Sequence, residues 1–285
     1  MVKKIIGQIY IWLILLLMYL PILVLIAFSF TEATNVGEWS GFTFNLYPAL
    51  FQDEQIMRAL GNTLIIAFVS AVVATLLGTL GAVGTFYSKK RAKKLIEGAT
   101  QVSIVNAEIV IAFSLTVMFV FLGNVIFKDY LFSFWTLLIG HVVLAVPFVY
   151  TSVKPKLQQM DPSMYEAALD LGATPATALR KVIVPEILPG ILSGFLLSIT
   201  LSLDDFIITE FTRGPGLLSG AGKIETLSTL VQAKIKKGPI PVEMRALTTI
   251  IFVIVVLFVI GITVYRLYKA KYGKTRTEKR EGYGK

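Results

Sequence analysis

Three carboxylates stand inside long apolar runs of this chain: Glu108, and the adjacent pair Asp204 and Asp205. A carboxylate at the centre of a membrane helix costs roughly 2.5–3.5 kcal/mol on insertion scales, so each needs a compensating role. Asp205 belongs to a polar stripe. Gly194, Ser198, Ser202, Asp205 and Thr209 follow one another at steps of four, four, three and four, which is one face of a helix. That face is a candidate lining for a solute pathway, with Asp205 as its charged member; Asp204 points off the stripe, nearer to Thr200. Carboxylates in a pathway favour a cation over an anion. The other reading is that the two aspartates cap neighbouring helices or pair with their Arg and Lys, and the residues alone leave both readings open.

Other chemistry is harder to assemble. There is no cysteine, which excludes disulfides and thiolate metal sites. The single His141 lies within an apolar run with no second imidazole to share a metal, so it reads as a packed or helix-bridging residue. A P-loop requires Gly, four residues, Gly-Lys, then Ser or Thr, because backbone amides wrap the phosphates and the hydroxyl holds magnesium. Gly220-Ala221-Gly222-Lys223 is a decoy: Leu217 stands where the first glycine belongs and Ile224 follows the lysine. No Ser/His/Asp set or zinc-spaced His/Glu pair forms, so no enzyme active site and no metal site is expected in this chain.

The elements that must hold these carboxylates are membrane helices. Of 285 residues, 55% are hydrophobic and only 16% charged, where soluble domains carry about 25% charged residues. Six apolar runs are long enough to cross about 30 Å of hydrocarbon. They are Ile9–Phe30 (bent at Pro21), Asn62–Tyr87, Ile104–Phe127, Leu131–Val153, Ile191–Phe211 and Leu247–Leu267. The class is an all-α polytopic membrane protein with six transmembrane helices. The first run exceeds the apolar core of a secretion signal and no Ala-x-Ala site follows it, so it is expected as an uncleaved span. Gly78, Gly81 and Gly84 recur at three-residue intervals in the second span and predict a close helix seam.

Placing both termini inside puts 19 of the 27 Lys and Arg on the cytoplasmic side and 8 outside, the bias the positive-inside rule requires. The net charge of +9 therefore reflects topology and lipid contact, with no nucleic-acid partner implied. One outer segment fits poorly, because Lys234, Lys236, Lys237 and Arg245 fall there. Its moderately apolar stretch Ile224–Ile235 predicts a short amphipathic helix lying at the outer surface. The tail 269–285 is polar and basic, and reads as a mobile cytoplasmic extension beside anionic lipid.

Between the fourth and fifth spans the chain is heavily punctuated. Asp161 can cap a helix with Pro162 at its first position, and Gly172 supplies a left-handed stop. Thr174 then caps a second helix, again with Pro at the first position, and Pro185 is expected to break it. A compact pair of capped, Ala-rich helices is a shape suited to a socket, where a plain connecting loop is seldom so punctuated.

Within that stretch Glu166-Ala167-Ala168, then Gly172, then Val182-Ile183-Val184-Pro185 resemble the Glu-Ala-Ala signature of ABC-importer permeases, with Val182 and Val184 as apolar departures. The resemblance implies a type I importer permease fold of the MetI-like kind. It implies a core over 62–268, an N-terminal helix over 1–30, an outer loop over 31–61 and a cytoplasmic coupling loop over 154–190. Glu166, Ala167, Ala168, Gly172 and Pro185 would then meet the ATPase. The implied partners are an ATPase dimer that carries the ATP and magnesium, a second homologous permease, an extracytoplasmic binding protein and the lipid bilayer of a bacterial inner membrane.

The segment Ser198 to Phe206 followed by Gly214-Pro215, together with Asn62-Thr63-Leu64, Lys223-Ile224 and Glu243-x-x-Ala246-Leu247, is similar to the permeases of spermidine/putrescine importers. Ala107-Glu108 replaces a Pro-Asp pair common there. This resemblance implies a polyamine solute, with Glu108, Ser198, Ser202, Asp204 and Asp205 as pathway residues. Alternatives are a related importer for a metal ion or a sugar, a secondary transporter, or a membrane-anchored assembly protein.

Overall fold

The computed structural model describes residues 2–35, 37–128, 131–161, 163–214, 223–238 and 241–281. Among these the regular elements are all helices: α1 (Val2–Phe28), α2 (Leu46–Gln52), α3 (Glu54–Phe86), α4 (Lys90–Val105), α5 (Glu108–Phe121), α6 (Phe134–Gln159), α7 (Ser163–Asp170), α8 (Pro175–Ala178), α9 (Val184–Asp204), α10 (Ile207–Thr212), α11 (Leu227–Lys237) and α12 (Val242–Glu281). Pro162, Pro215 and the decoy residues Gly220 to Gly222 lie outside the described residues.

Five segments are long and apolar enough to cross a membrane: 5–28, 54–86, 108–126, 134–159 and 175–204. The sixth expected span, Leu247–Leu267, falls inside α12, whose backbone stays helical through the basic tail to Glu281. The second span begins earlier than hydropathy suggested, because the Asp53 carboxylate accepts from the amides of Gln55 (2.9 Å) and Ile56 (3.0 Å) and so starts α3.

Two spans differ more deeply from their expected form. The third is not one helix from Ile104. Asn106 and Ala107 are extended, and they divide the polar helix α4 from α5. The lysine-rich stretch expected as a loop is the start of α4. Lys93, Glu97 and Thr100 are half-buried on one side of it, and Glu97 pairs with Lys154 of α6 at 2.8 Å. That ammonium holds the Glu97 carboxyl below the usual carboxylate range. The fifth span is likewise interrupted: Asp205 is extended, and α10 starts afresh beyond it. Pro185 does not break a helix either. A π-helical turn over 179–183 carries the chain from α8 into α9, where Pro185 occupies the first turn and so removes no intrahelical bond.

Two compact units emerge. One comprises residues 1–57 with 234–285, and therefore groups α12 with α1 and α2. In it Phe30, Phe42, Phe44 and Tyr47 form an aromatic cluster. Arg245, buried there, donates to the carbonyls of Ala33 and Thr34 at 2.8 Å each.

The other unit, residues 58–233, is built around α6. Ala74, Ala82, Val149, Tyr150, Val153, Ile183 and Ile187 are among the side chains of its core. Close approach is made by glycine on both flanks of α6. A Cβ on Gly78 would lie 2.6 Å from the Val149 Cβ, one on Gly194 3.1 Å from the Val149 Cα, and one on Gly190 2.9 Å from the Ser152 carbonyl oxygen. Of the predicted seam only Gly78 is used in this way; Gly84 faces open space. Gly194→Leu is expected to lower the melting midpoint of the purified protein by about 4–8 °C, from an overpacking cost of about 1–3 kcal/mol. Gly84→Leu is the control and should leave the midpoint unchanged.

Candidate functional site

The first region of interest is the pair of helix breaks in the second unit. Ala112 of α5, Leu144 of α6 and Ile208 of α10 pack in one cluster. Four residues further along α5, Thr116 donates to the Phe211 carbonyl at 3.0 Å. Helices α5 and α10 therefore run side by side in the same direction, which brings Glu108, at the start of α5, near the α9–α10 break. Glu108 opens α5 just after one break, and Asp204 closes α9 just before the other. Both are exposed on this chain, and both aspartates act electrostatically on Glu108. Neither Glu108 nor Asp204 forms a hydrogen bond or ion pair with another described residue.

Among the described residues no Lys or Arg pairs with either carboxylate. Asp204 sits at the carbonyl end of α9, where the helix dipole already places partial negative charge. The carbonyl end of an interrupted membrane helix, joined by carboxylates, forms a cation-attracting cradle.

Asp205 has a different place from the one its spacing suggested. It is buried, and its carboxylate accepts from the Ile208 amide (3.2 Å), the Thr209 amide (2.8 Å) and the Thr209 hydroxyl (3.0 Å). It caps α10. Ser198, Ser202 and Thr209 are buried with it, while Gly194 lies against Val149 of α6. The stripe is thus divided between two helices, with Gly194, Ser198 and Ser202 on α9 and Thr209 on α10, and in this chain it is turned into the bundle while Asp204 faces out.

His141 is the helix-bridging residue that the sequence indicated. Its Nδ1 lies 2.7 Å from Ser202 Oγ on α9 and its Nε2 3.0 Å from Thr209 Oγ1 on α10. Ser202 in turn accepts from Ser70 of α3 at 3.2 Å. The amphipathic helix expected on the outer surface exists as α11, but its N-terminal end is tied into the bundle. Leu227 N donates to Thr63 Oγ1 (2.9 Å), Asn62 Nδ2 to the Glu225 carbonyl (2.9 Å), and Ser228 Oγ to the Asp205 carbonyl (2.7 Å). Hydropathy missed these ties because Asn, Thr and Ser carry weak signals in a window average.

The second region is the helix pair α7 and α8. The Asp161 carboxylate accepts from the Ser163 amide (2.9 Å) and hydroxyl (2.8 Å), which hold it below the usual carboxylate range and start α7. Gly172 (φ 84°) ends α7: its amide reaches the Leu169 carbonyl and that of Ala173 the Ala168 carbonyl, a Schellman stop. Thr174 accepts from the Thr177 amide at 3.3 Å and caps α8. The inner side is seated firmly. Tyr165 packs on Tyr87 with ring centroids 5.2 Å apart, and Tyr165, Leu179 and Val182 border the α6 core. Outward stand Glu166, Ala167, Gly172 and Pro185, with Ala168 half-buried and Leu171 exposed to 89%. The result is a protruding knuckle with an acidic, small-residue face and one apolar tip.

A protein built from interrupted membrane helices, a carboxylate cradle and a rigid external knuckle has the parts of a transport permease. Residues 74–274 match the family described as binding-protein-dependent transport system inner membrane component, and the chain belongs to that family. It is a multi-pass inner-membrane protein. Among its relatives, the spermidine/putrescine transport system permease protein PotC of Escherichia coli (strain K12) is 36% identical over 244 residues, covering 86% of this chain and 87% of that one. The putrescine transport system permease protein PotI of the same strain is 34% identical over 235 residues, covering 82% and 81%. A solved bacterial ABC transporter involved in the import of the acidic polysaccharide alginate shares the fold. Its TM-score is 0.64 at 14% identity, with 93% of this chain and 96% of that chain covered.

Proposed function

We propose that this chain is a permease subunit of an ATP-driven importer that passes a polyamine, spermidine or putrescine, into the cytoplasm. The observation that carries the reading is the pair of exposed carboxylates Glu108 and Asp204 at two neighbouring helix breaks. A linear polyammonium ion is attracted by separated carboxylates and helix carbonyl ends, and it keeps its methylene stems against apolar walls. Glu108 and Asp204 would meet the solute. Ser198, Ser202 and Asp205 support them from within the bundle. The polyamine permeases among the relatives agree with this choice of solute.

In this reading the pathway lies between this chain and a second, homologous permease. An extracytoplasmic binding protein delivers the solute. A separate ATPase dimer holds ATP and magnesium and receives the knuckle through Glu166, Ala167, Ala168 and Gly172, with Pro185 setting the joint to α9. The termini and the knuckle face the cytoplasm, as the distribution of Lys and Arg favours. Closure of the ATPases moves the knuckles together, and the α6-centred unit transmits that motion as a rigid body to change which side of the cradle is open.

The reading is tested by solute competition in vesicles carrying the full transporter. Labelled spermidine should enter in an ATP-dependent manner, putrescine should compete, and neutral sugars or anionic solutes should not. Spermidine entry that a neutral sugar suppresses and putrescine does not, or ATP-driven entry of the sugar with none of spermidine, would refute the choice of solute.

A further inference from the structure

The buried polar cluster behind the cradle has a direction. Thr209 Oγ1 lies within donating distance of Asp205 Oδ2 (3.0 Å) and of the Asp205 carbonyl (3.3 Å), both acceptors only. With Asp205 ionised, that hydroxyl proton goes to one of them and Thr209 accepts toward His141; Asp205 Oδ2, 3.7 Å from Nε2, favours a proton on the same nitrogen. The imidazole Nε2 therefore carries a proton. In the neutral ring Nδ1 is then an acceptor, which obliges Ser202 to donate to it at 2.7 Å, and Ser202 in turn accepts from Ser70 at 3.2 Å. The result is a one-way chain from α9 through α6 to α10, Ser202, His141, Thr209, Asp205, with Ser70 of α3 at its head sharing its hydroxyl proton between Ser202 and the Ala67 carbonyl, each at 3.2 Å. Every link is in the interior, with His141 1% exposed and Asp205 5%.

The chain crosses the α9–α10 break. His141 holds the last turn of α9 through Ser202 and the first turn of α10 through Thr209. Beside it, a Cβ on Gly140 would meet Ile208 Cγ2 at 2.6 Å, so α10 lies directly on the α6 backbone. With both flanks tied to α6, the two residues between them have little freedom. Asp205 is turned inward as the α10 cap, and Asp204 is left facing outward.

We infer that His141 is a positioning residue for solute passage: it touches no solute, but through Ser202 and Thr209 it sets the break that presents Asp204. The inference rests on the proposed role of Asp204. Removing the imidazole strands the Ser202 hydroxyl and loosens the Thr209–Asp205 cap in a dry interior, where unmade hydrogen bonds are costly.

The test is a double-mutant cycle on spermidine uptake, with the full transporter in vesicles. His141→Leu should lower uptake by about tenfold or more, Asp204→Asn should lower it on its own, and the double variant should be no worse than the poorer single one, since contacts that act as a unit are non-additive. His141→Gln, which keeps an N–H for Thr209, should recover most of the loss. A double variant whose defect is the product of the two singles, or a Gln variant as impaired as Leu, overturns the inference. Normal uptake by Asp204→Asn would instead remove the solute role of Asp204, and this inference with it. Because the chain contains one histidine, ¹⁵N-histidine NMR of the unmutated protein supplies a second readout that no folding defect can obscure. The Nε2–H tautomer is expected, and an Nδ1–H or doubly protonated ring contradicts the chain.

Discussion

Glu166→Lys is expected to reduce ATP-driven uptake by about a hundredfold while the protein still inserts and folds. Both halves of that statement come from the knuckle. Glu166 is exposed on α7 and has no part in the seat made by Tyr165, Leu179 and Val182, so its replacement leaves the core intact. Helix start and stop are secured elsewhere, by Asp161 and by Gly172. What changes is the charge that the knuckle presents. Reversing a charge within a docking surface costs about 2–5 kcal/mol, and 3 kcal/mol is about a hundredfold in affinity. The measurement pairs co-purification of the ATPase with uptake in vesicles. A variant that loses uptake yet retains its ATPase, or that transports normally, would show that the acidic face of α7 is not the contact.

Asp204→Asn is expected to lower spermidine uptake by about thirtyfold, with the melting midpoint unchanged. A hydrogen-bonded contact between charged groups contributes about 1.5–3 kcal/mol, and about 2 kcal/mol corresponds to a factor of thirty. Stability should not suffer, because Asp204 is exposed, ends its helix and bonds to no other described side chain. It lies at the unfavourable end of the helix dipole, so neutralising it should if anything relieve strain. Asp205→Asn should behave in the opposite manner. It weakens a buried cap that accepts three hydrogen bonds, so stability falls first and transport follows. Equal losses of uptake and of stability in both variants would erase the distinction between the outward and the inward carboxylate.

The spans and the capped helix pair were legible in the sequence, because each rests on a signal of composition or local punctuation. Asp161, Gly172 and Thr174 act where their side chains or their φ preferences require. The helix breaks were not legible. Asn106-Ala107 and Asp205-Phe206 contain neither glycine nor proline, and a hydropathy window passes over one or two extended residues without change. The break after Asp204 depends on bonds from helices distant in sequence, namely His141 on α6 and Ser228 on α11. For the same reason the polar stripe was read as one continuous face and given the wrong exposure: spacing can be read from the sequence, but which neighbour covers a helical face cannot. Pro185 was misjudged because a proline that ends one helix and a proline that opens the next are the same letter.

Val149 is wedged between Gly78 on one flank and Gly194 on the other, with no side chain to yield on either glycine. Three membrane helices are consequently keyed together at one point, as a shaft is keyed to its hub. In the proposed mechanism, torque applied at the knuckle would meet no soft layer at this point before it reached the far side of the bundle. In that mechanism the unit would act as a rocker rather than a spring, with the stroke at the far end set by lever length and not by the elasticity of the helices.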